Sequence, residues 1–240
     1  MIDKMLKRTS CRDYKKSELS KEVIQSFKDV VNSSPTSTNC HHFGCVFVTD
    51  NKLKKELSEI IYSTEAIDKC SMIAIFYLEK NMFEYLEEKT NSKLDTNNIS
   101  FYSTCLFDAA ISCTMLNDAA ISLGYGTCYQ GVVKSFPKEI IKKLNLDNNI
   151  PVIGLLIGEP NSINEVKPKL NKVFENEYDF EEVKKRVDEY DEIMKSYYSG
   201  KSNKYKIVDF VSSFMTTHNE FLSGDALKEW TDLVKEKFKI

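Results

Sequence analysis

Between Phe101 and Leu123 the chain is apolar on almost every side of a helical projection, with Asp108 and Asp118 as the charges that interrupt it. A helix that is hydrophobic all round cannot lie on a solvated surface, so this one must be central or sit at a subunit interface. Small residues (Ala109, Ala110, Ala119 and Ala120) allow close neighbours, and Gly124 suits the left-handed position that ends a helix. The rest of the fold has to wrap this segment. With 240 residues, 42% of them hydrophobic, the chain has the material for a sizeable core.

The elements around it follow from spacing. Ser20 is placed to cap a helix carrying Val23, Phe27, Val30 and Val31, which Ser33-Ser34-Pro35 stops. Phe43 to Thr49 reads as a buried strand, and Asp50 caps a second helix with Leu53, Leu57, Ile60 and Ile61. Met72 to Leu78 is another buried strand. Glu79 to Ser100 is polar, helical in part, and a candidate cover. Gly126 to Val133 reads as strand and turn, Pro137 opens a short helix, and Pro151 to Gly158 is a central strand. This alternation of strands and helices, taken alone, favours a parallel sheet. From Lys167 onward the character changes: Phe180 to Tyr198 and Thr217 to Lys237 are charged amphipathic helices that cannot form a core by themselves. The division expected is therefore a core domain over 1–178 and a helical extension over 179–240 that packs on the core or on a second subunit.

Lys+Arg number 33 against 36 Asp+Glu, a formal net charge of -3, which argues against a general nucleic-acid or polybasic membrane footprint. Met1 to Arg8 has no signal-like apolar stretch, and no later apolar run is long enough to span a bilayer, so a cytoplasmic address is expected. The seven cysteines form an odd set without a CxxC pair and read as reduced thiols. Cys40, His41, His42 and Cys45 have donor types that suit zinc, but a second spaced pair is missing and a strand begins inside the group, so no metal is expected. A Cys40-His41 nucleophile is disfavoured as well.

Three separated segments could carry chemistry: Arg8-Thr-Ser-Cys-Arg12, Pro35-Thr-Ser-Thr-Asn39 and Lys167-Pro-Lys169. Arginines and lysines supply cations for a phosphate, Ser10 adds a hydroxyl, and the Ser/Thr/Asn loop offers groups for a polar ring edge. The set suits a phosphorylated cofactor. By spacing alone, Arg8 and Arg12 read equally as a solvated segment ahead of a helix. Gly124-Tyr-Gly126 follows a helix and lacks a third glycine, so it is a helix stop and not a dinucleotide fingerprint.

These blocks resemble the nitroreductase family. Arg8-x-Ser10-x-Arg12-x-Tyr14 is similar to its opening R-x-S-x-R-x-F, and Pro35-Thr-Ser-Thr-Asn-Cys-His41 to its P-S-S-x-N-x-Q loop. Asp108-Ala-Ala-Ile through Ser122-Leu-Gly-Tyr-Gly126 resembles the central helix, Tyr129-Gln-Gly131 the Y-I-G element, and Ile153 to Pro160 the G-L-x-x-G-x-P strand. Lys167-Pro-Lys-Leu170 resembles K-P-R-L, and Val173-Phe-Glu-Asn-Glu-Tyr178 resembles V-H-E-N-x-Y of the larger NADPH-flavin oxidoreductases and oxygen-insensitive nitroreductases. Thr9, His41, Lys169 and Phe174 depart from the family's usual residues, and a lysine cannot give arginine's bidentate fork.

The resemblance implies an α+β fold, a central and mainly antiparallel sheet among helices, in an intertwined homodimer with FMN at each of two interface sites. It places Arg8, Thr9, Ser10, Arg12 and Lys169 around the phosphate and ribityl chain. Pro35, Thr36, Ser37, Thr38, Asn39 and His41 would approach from the partner subunit, and Lys167 would lie by the ring. Tyr129, Gln130 and Gly131 would line the ring, with Thr64 and Glu65 in a turn bordering its open face. The implied activity takes hydride from NADPH or NADH and reduces small acceptors (nitroaromatics, quinones or flavins) by a ping-pong mechanism, with no catalytic acid or base. The alternative is an FMN-binding sensor or interaction flavoprotein without nicotinamide turnover. Lys201, Lys204 and Lys206 stand where larger relatives use arginines for a 2′-phosphate, which leaves the nicotinamide preference open.

Overall fold

The computed structural model describes residues 1–61, 64–199 and 227–240. They fall into two compact units, residues 1–165 with 227–240, and residues 166–226, of which 166–199 are described. The boundary expected at residue 178 falls inside the second unit. The first unit holds α1 (Ile2–Leu6), α2 (Lys21–Asn32), β1 (Phe43–Val48), α3 (Asn51–Ile61), α4 (Thr64–Lys69), β2 (Met72–Leu78) and α5 (Asn81–Thr90). It continues with α6 (Ile99–Ser122), β3 (Gly126–Gln130), a 3-10 turn (Gly131–Ser135), α7 (Pro137–Leu144) and β4 (Ile150–Gly158). The second unit contains α8 (Phe180–Tyr197), and the C-terminal α9 (Lys228–Phe238) belongs to the first.

Caps fix the helix starts, at Ser20 and Asp50 as expected and at Asn98 for α6, which begins two residues ahead of the expected Phe101. Ser20 Oγ accepts the Val23 N–H at 3.3 Å, Asp50 Oδ1 that of Leu53 at 2.8 Å, and Asn98 Oδ1 that of Phe101 at 2.8 Å. At the other end of α6, Gly124 takes φ 88°. Asn91 and Asn145 end α5 and α7 in the left-handed region, a role asparagine tolerates better than most residues.

The sheet order is β1-β2-β4-β3 and every ladder is antiparallel. This corrects the parallel sheet that alternation alone suggested and agrees with the resemblance. The reason is visible between β1 and β2: two helices in series, α3 and α4, carry the chain back across the sheet, where a single crossover helix would have made the strands parallel.

Strand side chains alternate between two core layers. Met72, Ala74 and Phe76 join Cys105, Ala109, Cys113 and Leu116 of α6, with Phe27 and Phe238. Ile73, Ile75 and Leu156 face Leu57, Ile61 and Ile140 of α3 and α7. The pairing of β2 with β4 jumps from Ile153 opposite Phe76 to Pro151 opposite Tyr77, so Val152 is an extra residue. That bulge lets Val152 and Ile153 both serve the α6 layer.

One expectation needs revision. At 24 residues, with a mean hydropathy of 1.3, α6 is long and apolar enough to cross a membrane by length and composition. Cys105, Ala109, Cys113, Leu116 and Ala120 pack in the core with β2 and β4 instead, while Phe107 and Ile111 stay exposed. The C-terminal helix α9 also packs here. Trp230 Nε1 donates to the Pro151 carbonyl at 3.0 Å, and the Lys134 ammonium lies 5.2 Å over its ring.

Gly158, at the end of β4, is where the N-terminal segment meets the sheet. A Cβ there would lie 2.9 Å from the Tyr14 ring and 3.0 Å from the Ser71 backbone nitrogen. Gly158→Ala should cost about 1–3 kcal/mol, the usual range for overpacking, seen as a fall of several degrees in Tm. An unchanged Tm would show that this seam yields.

Candidate functional site

After α1 the chain runs extended beside the edge strand β3. Ser10 bridges Thr127 in parallel fashion, and the Cys11 N–H donates to the Thr127 carbonyl at 2.8 Å. Farther on, Tyr14 bridges Pro160, and its buried hydroxyl donates to the Cys11 carbonyl at 2.7 Å. This double attachment orients the side chains, because residues along an extended segment alternate sides.

Ser10 hydrogen-bonds to the Cys128 thiol, and the charges of Arg8 and Arg12 lie near enough to be felt there. Burial pushes the Cys128 thiol above its ordinary value, while the Arg12 charge, a hydrogen bond with Ser10 and the Arg8 charge pull the other way. The Arg8 guanidinium carbon stands 5.9 Å from the centre of the Tyr129 ring, and its Nη1 is buried without a hydrogen-bond partner. A buried donor left unsatisfied costs on the order of 1–3 kcal/mol. Gln130 is buried next along β3, and a Cβ added at Gly131 would meet nothing within 4 Å. Guanidinium groups and a hydroxyl are donor types that can hold an anion such as a phosphate. Arg8, Thr9 and Cys11 border a crevice of about 410 Å³ that Lys7, Tyr125 and Ile163 also line.

The loop Pro35–Asn39 is held elsewhere, on α6. Asp108 and Ser112 lie one turn apart and are both buried. Ser34 Oγ hydrogen-bonds Ser112 Oγ at 2.8 Å, and the Ser37 N–H points at both Asp108 oxygens, at 3.1 and 3.2 Å. Asp108 Oδ2 also meets His42 Nδ1 at 2.7 Å, with side-chain exposures of 5% and 8%. Since an ionised carboxylate only accepts, the ring proton sits on Nδ1. His42 stacks on Phe83 at 5.6 Å and meets the Phe101 edge at 5.4 Å.

Between these anchors Thr38, Asn39 and His41 have φ of 51°, 58° and 57°. The His41 N–H closes the loop onto Thr36 Oγ1 at 3.1 Å. For a β-branched Thr the left-handed region costs roughly 1–2 kcal/mol. Charge-assisted hydrogen bonds of about 1.5–3 kcal/mol each offset that strain. Among the described residues the polar contacts of this loop run to α6 and within itself, not to the arginine cluster.

The zinc-type donors separate: Cys40 turns to Thr38, His42 to Asp108, and Cys45 sits half-buried on β1 near Cys113. In the second unit the Pro168 carbonyl accepts from the Tyr190 hydroxyl of α8 at 3.1 Å, which ties down the segment carrying Lys167 and Lys169. Lys167 also lies near enough to Tyr190 to favour its phenolate, against the larger effect of burial. Thr64 and Glu65 begin helix α4 instead of a turn, and the Thr64 side chain lies outside the described residues. Lys201, Lys204 and Lys206, with the expected helix from Thr217 as far as Ala226, lie outside them too.

Sequence reasoning missed the thiol beneath the cations, and it missed that Asp108 and His42 act together. A carboxylate in the middle of a largely apolar helix was the available signal for the second. No hydrophobic period marks Cys128 as special.

Residues 5–159 match the Nitroreductase family. A chromium(VI) reductase of Pseudomonas sp. (strain G-1) is 27% identical, covering 86% of this chain and 87% of that protein. The FMN reductase [NAD(P)H] of Bacillus subtilis (strain 168) is also 27% identical, over 100% of this chain and 98% of its own. In structure the chain is similar to the hypothetical oxidoreductase YcnD of Bacillus subtilis, with a TM-score of 0.90 at 24% identity, covering 98% of this chain and 96% of that one. The family match spans the arginine segment, the α6-anchored loop and all four strands, and on that ground the chain belongs to the nitroreductase family.

Proposed function

We propose that this chain is an FMN-dependent oxidoreductase that draws on NADPH or NADH and reduces small acceptors such as nitroaromatics, quinones or flavins. The observation that carries the reading is the buried Arg8 Nη1 that lacks a hydrogen-bond partner, on the segment that carries Ser10 and Arg12 along β3. A phosphate monoester supplies the oxygens that such donors lack. The open space in front of Gly131 fits a flat ring brought close to backbone, where a side chain would intrude. The names of the relatives in Pseudomonas and Bacillus support the same class.

In this reading Arg8, Ser10 and Arg12, with Lys169, hold the phosphate, and Lys167 gives a fixed cation for negative charge on the reduced ring. FMN, when bound, supplies the exchange of reducing equivalents between nicotinamide and acceptor in alternate half-reactions. The protein's part is to grip, orient and leave one face accessible. No nucleophile or metal is required, and none is assigned.

The loop Pro35–Asn39 with His41 completes the pocket from a second copy of the chain, in a homodimer. The exposed Phe107 and Ile111, one turn apart on α6, are 67% and 44% accessible and give that second copy an apolar surface to cover. Thr9, Thr64, Tyr129 and Gln130 remain proposed contacts of the cofactor. An intracellular, cytoplasmic setting suits the reduced thiols and the nicotinamide donors.

Purified protein is expected to be yellow, and to bleach when titrated anaerobically with NADPH or NADH. A preparation that stays colourless after FMN addition sinks the reading, and one that binds FMN but bleaches with neither nicotinamide makes it a binding protein. Arg8→Ala should weaken FMN by about 10–100-fold, the factor of one charge-assisted hydrogen bond, while riboflavin, which lacks the phosphate, is little affected. Equal losses for both would place Arg8 away from the phosphate. Phe107→Glu should shift the protein toward monomer in sedimentation and lower FMN occupancy with it.

A further inference from the structure

Asp108 of α6 is 3% exposed, yet it faces two donors from one short stretch of chain, the Ser37 N–H and the His42 ring. Between those two contact points lie three non-glycine residues in left-handed backbone. Left to themselves, Thr38, Asn39 and His41 would relax toward negative φ. They are kept in place from both sides: Ser37 by the carboxylate, and His42 by the carboxylate and by the Phe83 and Phe101 rings. The Ser34–Ser112 hydrogen bond fixes the entry to the loop, one helical turn along α6. Nothing in packing requires a carboxylate on this face, since the neighbouring α6 positions Cys105 and Ala109 are apolar and fully buried.

We infer that Asp108 and His42 are positioning residues that clamp the Ser37–Asn39 loop in its strained shape, so that its polar groups are presented to the flavin ring before the cofactor arrives. The inference rests on the flavin reading above. It adds that the ring's polar edge is recognised by a preorganised loop whose geometry is set inside the fold, and not by residues that order on binding. Asp108 touches neither cofactor nor substrate, and its effect passes through the Ser37 backbone. The clamp and the arginine cluster are thus separable, one acting on the ring and the other on the phosphate.

The separation defines the test. Binding of FMN and of riboflavin is measured for the parent and for Asp108→Leu, Ser37→Pro, Ser37→Ala and Arg8→Ala. Ser37→Pro deletes the N–H that reaches Asp108 and leaves the buried Asp108–His42 pair whole. Thr36, at φ -128° and ψ 151°, already has the extended backbone that precedes proline, and Ser37 opens the short turn, where proline is accepted. Ser37→Ala removes the hydroxyl alone and serves as its control.

Asp108→Leu and Ser37→Pro are expected to weaken FMN and riboflavin by the same factor of about 10–100, the loss expected for a charge-assisted hydrogen bond. The visible circular dichroism of the bound flavin should fall toward that of free flavin. Ser37→Ala measures what the hydroxyl, itself a proposed cofactor contact, contributes directly; Ser37→Pro should exceed that loss, and Arg8→Ala should discriminate between the two flavins. If Asp108→Leu fails to fold, Ser37→Pro decides alone. A parent that binds both flavins while Ser37→Pro stays within about twofold of Ser37→Ala overturns this inference and leaves the flavin reading standing. A parent that binds neither overturns both.

Discussion

A carboxylate placed inside an apolar helix must find donors or lose its charge, and that demand at Asp108 organises much of the first unit. The donors come from the chain just after α2, so the loop Pro35–His42 is drawn onto α6 and β1 starts from a fixed point. Pairing β1 with β2 then proceeds from Phe43 opposite Leu78 without a slip. The aromatic rings that shield the pair, Phe83 and Phe101, come from α5 and from the start of α6. One buried interaction therefore joins a loop, a strand and two helices, and removing either partner would leave an uncompensated polar group at their junction.

The far end of α6 carries the second half of the site by a different device. There the link is backbone pairing: Ser10 and Cys11 lie along β3, and the Thr127 hydroxyl donates to the buried Asn117 of α6 at 2.7 Å. The charges of Arg8 and Arg12 are both felt at the Cys128 thiol on this strand, and Arg8 Nη1 is buried without a partner. A buried donor left open suits a site meant for an anion and would be poor design for stability alone.

Most elements could be read from the sequence because their signals are local. Ser20 and Asp50 cap helices, Gly124 and Pro137 punctuate them, and the unbroken apolar runs of β2 and β4 match strands buried on both faces. The direction of the strands could not be read this way. It depends on whether α3 and α4 count as one helix or two, and α4 is a short helix that was expected as a turn. Pairing partners of buried polar groups are equally hidden: Asp108 and His42 are far apart in sequence, and the period of α6 marks only that the carboxylate is out of place. Arg8 and Arg12 have no local sign that separates them from solvated cations. The resemblance supplied that distinction, and the unpartnered Nη1 gives it a physical footing.

On the proposed dimeric reading, three features that a lone chain leaves unexplained share one cause. Arg8 buries a donor with nothing to accept it, Gly131 faces open space, and Phe107 and Ile111 hold apolar area in water on a helix that is otherwise used for packing. Each exposed side chain forgoes roughly 1.5–3 kcal/mol of burial. A second copy covering α6 would recover that energy, and in the same step it would bring its own clamped loop toward the arginine cluster. Assembly and cofactor binding would then be coupled. The strain in Thr38 and Asn39 is offset within each chain, whereas the benefit appears only where two chains meet.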